Sequence, residues 1–350
     1  MSYLKKLVSL GIMSVLFFSF VGCGGSSSSK SEGAKYPEVV NIGTQKLVED
    51  EMLAIHEGFI EKYFSEKGVK VNFVNFDAGS DVNVALASGS IDFGNVGSVP
   101  LATAASLGLD LKLIWLHALI AESEALCVKD GSGIKEVKDL AGKTLATPVA
   151  STSHLTALKV LEEAGIKDQV TILDMKPADI VAAWSRGDIE AAYVWQPALG
   201  ELTKDGTILK STADLLALGT VTADTGVVRT EFAEAYPDLV ACYVAAMIEA
   251  GDVYRNSVDD AANILASQLN LSKEVTLSQI NGNKWLSPEE QLTATFFGTS
   301  ENLGNLPVIL KETADFLRDQ EAIESSPELD YFESVVDPSY IEEAIKILGR

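Results

Sequence analysis

Cysteine, histidine and positive charge are all scarce in this chain of 350 residues. The three cysteines are Cys23, Cys127 and Cys242. No spacing among them makes a zinc site, and for Cys127 and Cys242 both pairing in an oxidising compartment and burial as free thiols are open. The three histidines are His56, His117 and His154, the first in a helical stretch and the second in or beside a strand. G-x-S-x-G, H-E-x-x-H, the P-loop and G-x-G-x-x-G are all missing. Nothing positive points to an enzyme, and no cofactor or metal is expected. Lys and Arg number 27 against 50 Asp and Glu, a formal charge of −23. That balance excludes nucleic acid and anionic membrane surfaces as partners. It also requires an anionic ligand to be held by local dipoles, against the field of the whole protein.

Long apolar runs are lacking too, apart from residues 7–22, which follow Lys5 and Lys6. The run is too short and wrongly flanked for a membrane anchor and reads as a signal peptide over 1–22. Gly22–Cys23 resembles the lipobox of bacterial lipoproteins, with Phe20 where Leu is usual, and implies lipidation of Cys23. The Gly/Ser-rich stretch 23–35 reads as a flexible tether. The expectation is an exported chain, anchored to a membrane by lipid alone.

What is there instead is a repeated α/β pattern. VVNIGTQ (39–45), VKVNFVNF (69–76), IDFGNV (91–96) and LKLIWLHAL (111–119) read as strands, with helical spacing over 52–66 and 82–87. Gly97 and Ser98 then form a turn in which Ser98 is a candidate N-cap, with Pro100 just inside a helix of small residues. From Gly142 the pattern restarts: strand 142–151, helix 151–165 closed by Gly165, strand 170–175. The stretch 178–199 matches 80–101: Gly187, Ile189, Glu190, Val194 and Pro197 echo Gly89, Ile91, Asp92, Val96 and Pro100. One supersecondary unit used in each half predicts two α/β lobes facing across a ligand cleft. Beyond Val227 four stretches show helical spacing (232–254, 258–269, 288–297 and 306–318) and are expected to pack back on the first lobe. The crossings are placed near Cys127–Val128 and Gly226–Val228, giving lobe I as 36–127 with 227–350 and lobe II as 128–226.

Ligands of such sheets sit beyond the carboxyl ends of the strands. Four turns lie there: Thr44–Gln45, Gly97–Ser98, Ala150–Ser153 and Trp195–Gln196. Helix N-termini with hydroxyls suit a tetrahedral oxyanion without any Lys or Arg, although any one Ser or Thr cap need bind nothing. Glu124 and Asp224 end apolar stretches near the crossings, where carboxylates could take a ligand ammonium; most acids in this chain are simply surface groups. Trp195 suits either a cation or alkyl chain or the core.

The stretches 76–106, 123–130 (SEALCVKD), 143–158 (KTLATPVASTSHLTAL), 182–199, 224–237 (DTGVVRTEFAEAYP) and 281–291 (NGNKWLSPEEQ) resemble the substrate-binding proteins of taurine, sulfonate and nitrate ABC transporters, most of all the taurine branch. The resemblance runs from about Val40 to Leu317. It implies a type II periplasmic binding fold, each lobe a mixed, mainly parallel sheet flanked by helices, with a helical C-terminal segment. It also implies a monomer that passes taurine or a related small sulfonate to a permease and its ATPase. By that resemblance Ser98, Ser151, Thr152 and Ser153 hold the sulfonate with help from Gln45. Glu124 and Asp224 take the ammonium, Trp195 covers the two-carbon chain and His154 is a support. Where taurine binders carry a Trp two residues after Asp224, this chain has Gly226, which leaves the width of the cavity open. Alternatives are an alkanesulfonate, nitrate or aminoalkylphosphonate binder and a ligand-presenting sensor component. The pyrimidine-synthesising enzymes of this fold carry a cysteine-rich site that is missing here.

Overall fold

The computed structural model describes residues 35–350; the leader, Cys23 and the tether as far as residue 34 lie outside the described residues. Eleven strands among those residues are β1 Val39–Gln45, β2 Lys70–Phe76, β3 Phe93–Gly97, β4 Leu111–Ile120, β5 Glu124–Lys129, β6 Thr144–Thr147, β7 Thr171–Asp174, β8 Ala191–Trp195, β9 Gly206–Ser211, β10 Ala223–Arg229 and β11 Asn283–Lys284. They form two sheets, ordered β11-β4-β10-β3-β1-β2 and β7-β6-β8-β5-β9.

The internal repeat is visible in this order. Strands β2, β1, β3, β10 and β4 of the first sheet occupy the places of β7, β6, β8, β5 and β9 in the second. Within each repeat the pairings are parallel (β1 with β2 and β3, β6 with β7 and β8). The exceptions are β5 and β10, each antiparallel to both main neighbours. These are the first strands after the chain changes sheets. The changes occur between Ile120 and Glu124 and between Ser211 and Ala223, earlier than the expected crossings near Cys127–Val128 and Gly226–Val228. Cys127 lies inside β5 and Gly226 inside β10, and the composition of either strand cannot say which sheet it joins. Cys127 and Cys242 are both buried free thiols.

Turn chemistry accounts for the other differences. The helical stretch 52–66 divides into Asp50–His56 and Phe59–Ser65 at Gly58, whose φ of 72° suits glycine. The expected helix 288–297 stops at Gln291, after which the chain folds back so that Phe297 donates to the Gln291 carbonyl. The long helix Pro237–Asn256 backs the first sheet, where Tyr243 stacks on Phe93 of β3 at 4.8 Å. Helix Ser98–Ser106 meets helix Thr152–Glu163 through a cluster of Val99, Leu155 and Leu317. Asp81 and Lys176, one from each half, form an ion pair at 2.7 Å. Among the described residues no helix is long and apolar enough to cross a membrane.

Candidate functional site

Both helices open onto one cavity. The first-sheet side contributes Gln45 from the end of β1, Glu49 before helix Asp50–His56, and Gly97 and Pro100 at the next helix start. The second-sheet side contributes Glu124, Ser151, Thr152, Trp195 and Gln196. Asp224, Ser123, Gln279 and Asn283 complete the floor. None of the described lining residues is Lys or Arg.

The repeat places the two expected acids in matching positions. Glu124 opens β5 opposite Trp195, the last residue of β8; Asp224 stands in β10 opposite Gly97, the last residue of β3. Their surroundings differ. Glu124 is 1% exposed, and Thr152 donates to its Oε2 at 2.6 Å while the hydroxyls of Thr156 and Thr212 stand 3.2 Å from its Oε1. Burial pushes its carboxyl up to about 7, against the pull of those hydroxyls. In this arrangement the Thr152 hydroxyl serves Glu124.

Asp224 has a different partner, one that sequence reasoning missed. Its carboxyl faces that of Glu49, and two carboxyls held together in this way resist ionising at the same time. Burial holds Glu49 well above the usual carboxylate range, with the Asp224 charge adding to it, and burial raises Asp224 as well. Behind the pair lies a buried polar layer. Asn95 Nδ2 donates to Glu49 at 2.8 Å and lies 3.2 Å from Glu51, which also accepts from Tyr243 at 2.6 Å. Asp50 accepts from Trp115 Nε1 at 2.7 Å and holds His117 Nδ1 at 2.6 Å. Burial alone would push His117 down, but the Asp50 carboxylate, seconded by Glu51 and Asp224, raises it.

The remaining expected residues divide. Ser151 lines the cavity and caps helix Thr152–Glu163: its Oγ accepts from His154 N–H at 3.2 Å and donates to the Pro148 carbonyl at 2.5 Å. Ala150 takes φ 60°, a strained value for a side-chain-bearing residue, and its N–H reaches His154 Nδ1 at 3.4 Å. Burial lowers the His154 pKa, so the neutral ring can accept that bond. Ser153 and His154 are buried outside the lining. Ser98 differs from its expected role: Gly97 is the N-cap, and Ser98, the first helical residue, accepts from Ala223 N–H at 3.3 Å. Gln45 lines the cavity and donates to the Asn95 carbonyl at 3.0 Å; Trp195 lines it, half-buried against the second core.

Gly226 does not line the cavity. A Cβ there would stand 3.1 Å from His117 Nε2 and 3.4 Å from Trp115 Cβ, so the space beside this glycine is filled by the polar layer. Gly226→Ala is therefore expected to cost about 1–3 kcal/mol of stability by overpacking. Urea denaturation checks this, and an unchanged midpoint would mean that the His117 ring gives way freely.

Comparison with known proteins fits this geometry. Residues 38–249 match the family described as the substrate binding domain of the ABC-type glycine betaine transport system. The taurine-binding periplasmic protein of Escherichia coli strain K12 is 37% identical over 268 residues, covering 74% of this chain and 80% of that protein. The periplasmic aliphatic sulphonate binding protein SsuA of Escherichia coli superposes with a TM-score of 0.68 at 25% identity, over 85% of this chain and 92% of its own. The desulfurization enzyme DSZB shares the fold alone, with a TM-score of 0.62 at 14% identity over 89% of this chain and 99% of its own. Chemistry must therefore be read from the site and not from the fold. The chain has the type II periplasmic binding fold and belongs to the family of ABC-importer substrate-binding proteins that includes the taurine-binding protein of Escherichia coli.

Proposed function

We propose that the chain captures taurine, or a close small aminosulfonate, between its two sheets and delivers it to an ABC permease and its ATPase. We place it outside the cytoplasm, held by lipid on Cys23. One observation carries the ligand reading: an acid pair, the buried Glu49 and the half-buried Asp224, shares a cavity with two helix N-termini and no lining Lys or Arg. Helix N-termini with free N–H groups suit an anion, and the acids suit a cation. A zwitterion satisfies both ends, whereas a plain anion offers the acid pair no cation. Glu49 with Asp224 is the ammonium site in this reading, and Glu124, bonded by its own hydroxyls, holds the start of the second helix in place.

Calorimetric titration of the purified protein with taurine, ethanesulfonate and 2-aminoethylphosphonate tests the proposal. Taurine is expected to bind at least about tenfold more tightly than ethanesulfonate, the equivalent of one charge-assisted hydrogen bond. Equal binding of the two sulfonates would move the reading to an alkanesulfonate binder. Preference for the phosphonate would move it to an aminoalkylphosphonate.

A further inference from the structure

The C-terminal helical segment brings one more polar group to the floor of the cavity. Strand β11 pairs with β4 so that Asn283 lies opposite Ile120 and Lys284 opposite Leu119. On the other edge of β4, β10 places Ala223 opposite Leu119 and Asp224 opposite Ala118. The same end of β4 is thus flanked by Asp224 on one side and by β11, with helix Lys273–Asn281 leading into it, on the other. Gln279 lies in that helix, lines the cavity and is 3% exposed. Its Nε2 and Oε1 are both buried without a hydrogen-bond partner.

The segment itself is firmly held. Ser123 N–H donates to the Gly282 carbonyl at 2.9 Å, and Trp285 Nε1 donates to the Ile280 carbonyl at 2.8 Å. Trp285 also stacks on Tyr254 at 4.5 Å. A fixed backbone that presents an unpaired, buried carboxamide to a binding cavity is costly unless something in the cavity satisfies it.

Resting on the aminosulfonate reading above, we infer that Gln279 is the third acceptor for the ligand's primary ammonium, beside Glu49 and Asp224, and so reads the number of N–H bonds on the ligand nitrogen. A primary ammonium has three N–H groups, and the acid pair supplies two acceptors. A neutral carboxamide oxygen supplies the third without adding another negative charge to a floor that already holds two acids. A third carboxylate would be left uncompensated by one cation. Each N-methyl group on the ligand removes one N–H and leaves one of these acceptors unpaired.

The test compares the wild-type protein, Gln279→Leu and Gln279→Met by calorimetric titration with taurine, N-methyltaurine and ethanesulfonate. Loss of one hydrogen bond predicts taurine binding weakened about tenfold in both variants, with ethanesulfonate within about twofold. The preference for taurine over N-methyltaurine is expected to collapse with it. Met fills the same length without an acceptor, so agreement between the variants excludes a packing defect. Equal weakening of taurine and ethanesulfonate, or unchanged taurine binding, would overturn the role of Gln279 while leaving the aminosulfonate reading in place. Equal wild-type affinity for taurine and ethanesulfonate would overturn that reading and this inference together.

Discussion

Asp224→Asn is expected to weaken taurine binding about 100-fold, roughly 2.7 kcal/mol, and to leave ethanesulfonate within about threefold. The substitution keeps the shape of the side chain and removes its charge. What remains for the ammonium is Glu49, which is buried, bonded to Asn95 at 2.8 Å and able to accept a further bond from the new carboxamide. Ethanesulfonate has no cation, so it meets the helix ends as before and is spared the repulsion of a second acid. Equal losses for the two ligands would mean that Asp224 shapes the cavity and does not pair with a cation. Glu49→Gln is expected to behave alike. The double variant should lose less than the sum of the two, because the residues act as one pair. Thermal stability offers a separate check. Two carboxyls facing one another oppose folding as they ionise, so the single variants should melt no lower than the wild type at neutral pH.

How much of this site was legible in the sequence depends on what each residue does to its own neighbourhood. Asp224 and Glu124 could be found because each interrupts an apolar strand, and the 80–101 and 178–199 repeat located the strand ends beside them. Ser151 announced itself as an N-cap, since a hydroxyl before a helix is a local signal. Glu49 gave no such sign. Asp and Glu at a helix start ordinarily read as solvated charges favoured by the helix dipole, yet Glu49, Asp50 and Glu51 are each no more than 2% exposed. Their partners come from β3, β4 and the helix Pro237–Asn256, at separations of 44 to 192 residues. The available clue lay in those partners: Asn95 and His117 sit in strands that are otherwise buried and apolar, and a buried polar group demands a counterpart. Gln279 lay deeper still, because a Gln in an amphipathic helix looks like a surface residue until β11 ties that helix to β4. The Gly226 departure was legible as a missing side chain, but only the position of the His117 ring shows what fills its space.

Taurine binding is expected to release protons, and its affinity to rise with pH by up to about tenfold per unit for each proton released. The sign follows from the acid pair. Burial raises both Glu49 and Asp224, so the free protein holds a proton between them over a range in which separate surface carboxylates would be ionised. An ammonium donating to both oxygens takes the place of that proton and adds a positive charge, which favours the ionised form. The free state therefore binds more protons than the bound state, and the association constant climbs with pH until the free pair has lost its proton. Far above neutrality the ligand's own ammonium loses its proton and its charge, and the gain ends. Glu124, pushed up to about 7 by burial with the Asp224 charge contributing, titrates in the same sense. His117 is raised as well: burial pulls it down, and the Asp50 carboxylate, with Glu51 and Asp224, outweighs that pull. Tyr243 and Tyr254, which face the acids from the long helix, are held well above their usual range and stay neutral. Titration in phosphate and in Tris, whose ionisation enthalpies differ widely, reads the proton count directly from the difference in apparent heat. Glu49→Gln should shrink that difference to the part that Glu124 supplies, since Asp224 then faces a neutral carboxamide. An identical heat in both buffers for the wild-type protein would mean that Glu49 and Asp224 meet the ligand already fully ionised.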